Sequence, residues 1–176
     1  MKHWLRRGLG VLGVVLLAGA TFGAGRANGA GEDWTVVTSK LDNPRGLDFS
    51  AGRLIVAEAG HGGDVDLGKG PEGALKLGLT SKISAVNIDN GRKRIVVAGL
   101  LSAGDLVAAT GVDDVSTNGR LLGIMTANPQ SLKDLPPKFC ANQPSDCRMV
   151  LRAARQQAGQ LIEGQRDHSF KRLASV

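Results

Sequence analysis

Residues 41–60, LDNPRGLDFSAGRLIVAEAG, decide how this chain reads. Asp42-Asn43-Pro44 halts whatever precedes it, because proline lacks an amide donor and biases Asn43 away from helix. Gly46-Leu47-Asp48-Phe49 then reads as a strand, Ser50-Ala51-Gly52 as a turn and Arg53–Glu58 as a second strand. In that second strand Leu54 and Val56 share one face, Ile55 and Ala57 the other.

Much of this unit returns later in the chain. Asp48-Phe49-Ser50 and Gly52-Arg53-Leu54-Ile55 match Asp114-Val115-Ser116 and Gly119-Arg120-Leu121-Leu122, with one extra residue in the second turn. A fainter echo pairs Lys93-Arg94-Ile95 with Lys171-Arg172-Leu173. Between the echoes of the second copy, Asn128–Ala158 reads as an insertion of two short helices. Asn128-Pro129 opens the first and Pro136-Pro137 ends it, while Ser145-Asp146 opens the second and Gly159 closes it.

Working outward, Asp33–Leu41, rich in β-branched residues, reads as a strand anchored by Trp34. Ala59–Lys76 is glycine-rich and polar and reads as a long loop. Ser81–Ile88 and Arg92–Leu100 form a hairpin around Asp89-Asn90-Gly91, since Asn-Gly readily supplies the positive φ of a tight turn. The expected fold is therefore all-β, in two four-stranded units at about 42–100 and 109–176, with the helical insertion at about 128–158 in the second. Four-stranded antiparallel units repeated around an axis are β-propeller blades. A two-layer β-sandwich also suits short strands at regular spacing.

The first thirty residues are expected to be a signal peptide rather than part of the fold. Lys2, Arg6 and Arg7 precede an apolar run, Gly8–Ala24, and small residues follow, with cleavage after Ala27, Gly29 or Ala30. The run is shorter than the ~20 residues of a spanning helix. Four of the 22 basic residues (Lys2, Arg6, Arg7 and Arg26) and none of the 16 acidic ones lie in it, so the remaining chain carries a net +2. That balance gives no reason to expect nucleic-acid binding. An extracytoplasmic protein without an integral membrane span is expected after cleavage.

The Pro44-x-Gly46 entry followed by Gly52-Arg53-Leu54-Ile55-Val56-Ala57-Glu58 resembles the repeat of NHL-type and SMP-30-type propellers. LDNPRGLDF, VAEAGHGGD, GPEG and TGVDDVS, in that order, resemble the N-terminal part of the ScyD/ScyE family of exported bacterial propellers. The resemblance implies an incomplete propeller: about two blades of a six-bladed, TolB-like or NHL-like ring. The remaining C-terminal blades of a longer chain would be partners of these two. It implies a secreted binding or scaffolding protein with no assigned catalysis. The alternative is a metal-dependent lactonase of the SMP-30/gluconolactonase kind, whose metal-ligating Glu-Gly-Pro start is not matched by Leu41–Gly46.

Candidate chemistry is sparse. Gly63–Lys69 has the spacing of a phosphate-binding loop, but Gly70 stands where a magnesium-binding Ser or Thr is needed. Asp64 and Asp66, with Glu72, could hold calcium in the same loop, although Lys69 and Leu75 occupy the positions where an EF-hand-like loop needs Gly and Glu. His61-Gly62-Gly63 resembles an esterase oxyanion motif without the accompanying G-x-S-x-G elbow. Cys140 and Cys147 enclose a short proline-containing loop, and in an oxidising compartment the expectation is a disulfide. Arg148, Arg152 and Arg155 fall on one helix face, either a solvated face or a contact for an anionic partner. Arg45 and Asp113 each precede an innermost strand and would lie near the mouth of a central channel, where ligands bind.

Overall fold

The hydrophobic alternation of the repeated units produces two antiparallel sheets. The computed structural model describes residues 35–70, 73–105, 107–127 and 129–175. The expected signal segment, Trp34 and Glu72 lie outside them. From Thr35 onward the chain forms one compact unit.

The first sheet contains β1 (Pro44–Ser50), β2 (Arg53–Glu58), β3 (Val65–Gly70), β4 (Gly73–Asn87), β5 (Lys93–Gly104) and β6 (Ala109–Thr110). Its order is β1-β2-β4-β5-β6, with β3 also pairing β4. The second sheet contains β7 (Val112–Ser116), β8 (Leu122–Met125), β9 (Gln160–Gly164) and β10 (Phe170–Ser175), in the order β7-β8-β9-β10. Each sheet is thus built on a four-stranded antiparallel meander, β1-β2-β4-β5 or β7-β8-β9-β10. Both sequence echoes keep their places: Asp48 and Asp114 lie on first strands, and Lys93 and Lys171 on fourth strands.

Each meander carries an insertion between its second and third strands. In the second it is helical: α1 (Pro129–Lys133), a 3-10 turn at Phe139–Asn142 and α2 (Cys147–Gln157). Gly159 follows α2 with φ of 63°, the left-handed conformation that ends a helix at little cost to glycine. In the first meander the insertion is the β3–β4 hairpin.

That hairpin corrects the expectation of a loop over Ala59–Lys76. Val65 pairs Leu77 and Gly70 pairs Gly73, with a bulge between Asp66 and Gly68 where Gly68 has φ of 99°. The glycines make this strand irregular without abolishing it. β4 is long enough for β2 to pair its C-terminal half and β3 its N-terminal half along the same edge. The connection between β2 and β3 fits closely there. Gly62 accepts a hydrogen bond from Thr80 Oγ1 and donates to Ser102 Oγ, and a Cβ on Gly63 would stand 2.7 Å from Gly78 Cα.

The second correction concerns the strand expected over Asp33–Leu41. Thr35–Leu41 is not a strand. Lys40 (φ 58°) and Asn43 (φ 51°) turn the backbone out of extended geometry. Thr38 Oγ1 instead donates to Gly91 O, and Lys93 Nζ reaches Lys40 O.

The main core lies where the two sheets face each other, with Ile55, Ile83 and Val97 from one meeting Val112, Met125 and Ile162 from the other. It continues through Leu100 and Leu101 to Val150, Leu151 and Ala154 of α2. Gln157, also buried, fixes α2 against β5 by accepting from Leu101 N and donating to Gly99 O, satisfying groups that would otherwise be stranded.

The first strands of the two meanders run side by side. A Cβ on Gly46 would stand 2.7 Å from Asp114 Cα and 2.9 Å from Asp113 O, so glycine lets β1 approach β7. Ser81 clips the sheets together, donating to Glu58 O and accepting from Val112 N.

Candidate functional site

Two polar or cavity-forming features gather around the start of β1. The first is an ionic cluster centred on Glu58, whose side chain is fully buried at the end of β2. An isolated buried carboxylate is costly, and this one is surrounded by donors. Oε1 accepts from Ser84 Oγ, and Oε2 accepts from the Asp42 amide at 2.7 Å. Lys93 Nζ and Lys82 Nζ stand 3.5 and 3.7 Å from Oε2.

Lys82 also lies 3.0 Å from Asp42 Oδ2, which His61 Nδ1 approaches to 2.8 Å. Burial opposes ionisation of Asp42, but hydrogen bonds and charge from His61 and Lys82 outweigh it and hold its carboxyl below the usual range. The His61 ring is 64% exposed. Thr80 Oγ1 accepts from the His61 amide and donates to Gly62 O, so this hydroxyl is engaged with backbone. This arrangement can clasp the segment before β1 onto the sheet: Asn43 Nδ2 adds a bond to Gly60 O, and Lys93 one to Lys40 O.

The second feature is a cavity of about 440 Å³ where the β3–β4 hairpin, β6 and α1 meet. Leu67, Leu75, Leu77, Ala103 and Leu132 supply apolar walls, and Arg45 reaches its edge. Arg45 is held there by donating from its guanidinium to Ala109 O. The volume and an apolar lining with a few polar groups suit a small-molecule site.

No family model, curated protein or solved structure matches this chain.

The other sequence-derived candidates are scattered by the fold. Asp113 follows Val112 on β7, beside Gly46, but does not line the Arg45 cavity. Asp66 Oδ2 accepts from Lys76 Nζ and Oδ1 from Gly68 N, and these bonds hold its carboxyl below the usual range. Asp64 is exposed, and Glu72 is outside the described residues. Among the described residues no group of three or more His, Cys, Asp or Glu side chains is placed to hold a metal. Cys140 and Cys147 are joined by a disulfide, which ties the 3-10 turn to the start of α2. No described helix is long and apolar enough to cross a membrane.

The Glu58 cluster was missed in the sequence. One signal was present: a glutamate ending the otherwise apolar run Leu54–Ala57 is out of place unless buried partners receive it. Lys82 sits opposite it on β4, a register that only the paired strands reveal.

Proposed function

We propose that this chain is an exported propeller-type module of the ScyD/ScyE kind, with a binding or scaffolding role, in which the two meanders are successive blades. The observation that carries this reading is the tandem relation of the first strands. Asp48 Oδ1 accepts from the next amide, Phe49 N, and Asp114 Oδ1 accepts from Val115 N in the same manner. Asp48 Oδ2 then reaches forward to Thr117 of the second unit. The equivalent oxygen of Asp114 has no partner among the described residues, as suits a repeat that can engage a further unit.

Exposed apolar side chains support the same reading. Leu47 and Phe49 on β1 are 64% and 56% exposed, on the side away from the second sheet. Further blades of the same kind would cover such faces. The Cys140–Cys147 disulfide agrees with an oxidising compartment. The binding site of the module would be the Arg45 cavity.

A small-molecule panel screened by thermal shift tests the reading. A binder should raise the melting temperature, Arg45→Met should abolish that rise, and a lactone panel should not turn over with or without divalent metal. Metal-dependent lactone hydrolysis would overturn the binding role in favour of a lactonase. N-terminal sequencing of exported protein should start at Asn28, Ala30 or Gly31. A first residue upstream of these would overturn the cleavage.

A further inference from the structure

The helical insertion carries a second cleft, remote in character from the apolar Arg45 cavity. It encloses about 500 Å³ and is lined by four arginines: Arg148, Arg152 and Arg155 from α2, and Arg172 from β10. No aspartate or glutamate lines it. Two of the arginines are oriented by the backbone, Arg155 Nε donating to Leu132 O and Arg172 Nη1 to Gln156 O. Arg148 and Arg152 have no hydrogen-bond or ion-pair partner among the described residues. Four guanidiniums gathered without counter-charge repel one another, a cost that an anionic ligand would relieve.

The spacing argues for a chain of anionic groups rather than one ion. At a rise of ~1.5 Å per residue, Arg148, Arg152 and Arg155 step along α2 by about 6 Å and then about 4.5 Å. Each can then meet a separate carboxylate or sulfate, for which the guanidinium fork is shaped. Pro136, Pro137 and Phe139 also line it and offer apolar surface for the body of a ligand. The disulfide fixes that surface, since Cys140 follows Phe139 and is bonded to Cys147 at the start of α2.

We propose that this cleft binds an acidic polysaccharide through successive carboxylate or sulfate groups. A nucleic acid fits less well. Phe139 is the one aromatic side chain in the lining, which gives no row of platforms for stacking successive bases. The cleft is lined by the insertion and by Arg172 of β10, and its charge is the same whether or not the sheets are propeller blades.

Calorimetric titration of the full chain tests this, with a polyuronate hexasaccharide, a sulfated hexasaccharide, neutral cellohexaose, inorganic sulfate and a short single-stranded DNA as probes. The acidic hexasaccharides should bind saturably, and cellohexaose and sulfate should not. The Arg148→Gln, Arg152→Gln double variant removes exposed side chains and should weaken binding at least about tenfold through lost charge-assisted hydrogen bonds. Arg53→Gln with Arg92→Gln removes equal charge from a different surface and should leave affinity within about twofold, since salt-screened charges outside the site contribute little. Absence of acidic-oligosaccharide binding overturns the proposal. So do equal losses in the two double variants, or DNA binding that is tighter and equally dependent on Arg148 and Arg152. None of these results would bear on the Arg45 cavity or on the blade assignment.

Discussion

Asp48 on β1 accepts two hydrogen bonds from Thr117, 69 residues later, one from the amide and one from the hydroxyl, both at 2.7 Å into Oδ2. The contact joins the two sheets through side-chain chemistry, beyond the apolar core between them. With the bond from Phe49 N to Oδ1, it holds the Asp48 carboxyl below the usual range.

A double-mutant cycle on Asp48→Ala and Thr117→Val measures this link. Each single change should lower the urea midpoint, and the second should cost little once the first is made, because residues sharing one interaction are non-additive. Fully additive losses would show that the hydroxyl bond does not couple the units, since the Thr117 amide bond survives in Thr117→Val.

Gly46→Ala should destabilise by about 1–3 kcal/mol, the cost of forcing atoms into a filled space. Its added methyl would lie within 3 Å of Asp113 and Asp114 backbone atoms. Unfolding by denaturant checks this, and a neutral result would mean that β1 and β7 can separate freely.

Glu58→Ala should cost about 1–3 kcal/mol, because the Asp42 amide and the buried Ser84 hydroxyl lose their acceptor. Lys82 is only 19% exposed and would lose Glu58 while keeping Asp42. Calorimetry should show the lower melting temperature. A Glu58→Ala variant as stable as the parent would remove the cluster from the account of the fold.

Acid should weaken the clasp. Asp42 ionises at lower pH in the folded chain than in the unfolded one, so the unfolded state takes up its proton first as pH falls. Its stabilisation is complete above the ordinary carboxylate range, near pH ~4, and is lost as pH drops through the folded value. Asp48 and Asp66 act in the same direction. Melting temperature should therefore fall from neutral pH towards pH ~3, and Asp42→Asn should lower it at neutral pH while flattening the acid slope.

Reduction of Cys140–Cys147 should lower stability by about 2.5 kcal/mol on the loop-entropy account. Two thiols should titrate under denaturing conditions only after a reductant is added. Thiols reactive without reductant would contradict the bond.

The repeat of Asp48 to Ile55 at Asp114 to Leu122 was enough to anticipate two strand-turn-strand hairpins, although their turns differ: Ser50 pairs Arg53, whereas Ser116 pairs Leu122. The strand Arg53–Glu58, most of the strand expected over Arg92–Leu100 (observed as Lys93–Gly104), the ends of α2 and the cysteine pair were legible because alternation, turn residues and caps act over a few neighbours.

Only the tertiary structure decided the rest. Val65–Gly70 is a strand because a long β4 offers it an edge beyond the end of β2, and no glycine count in the segment itself can reveal a distant edge. Thr35–Leu41 has strand composition but lies in a clasp of Asp42, Glu58 and Lys93, with Lys40 at positive φ. Glu58, Lys82, Asp42 and His61 are separated along the chain and meet only when antiparallel register brings them together, and Arg172 of β10 likewise joins three arginines that helix periodicity already groups on α2. Short-range chemistry set the elements. Pairing edges and packed faces, which depend on residues tens of positions apart, set what those elements bring together.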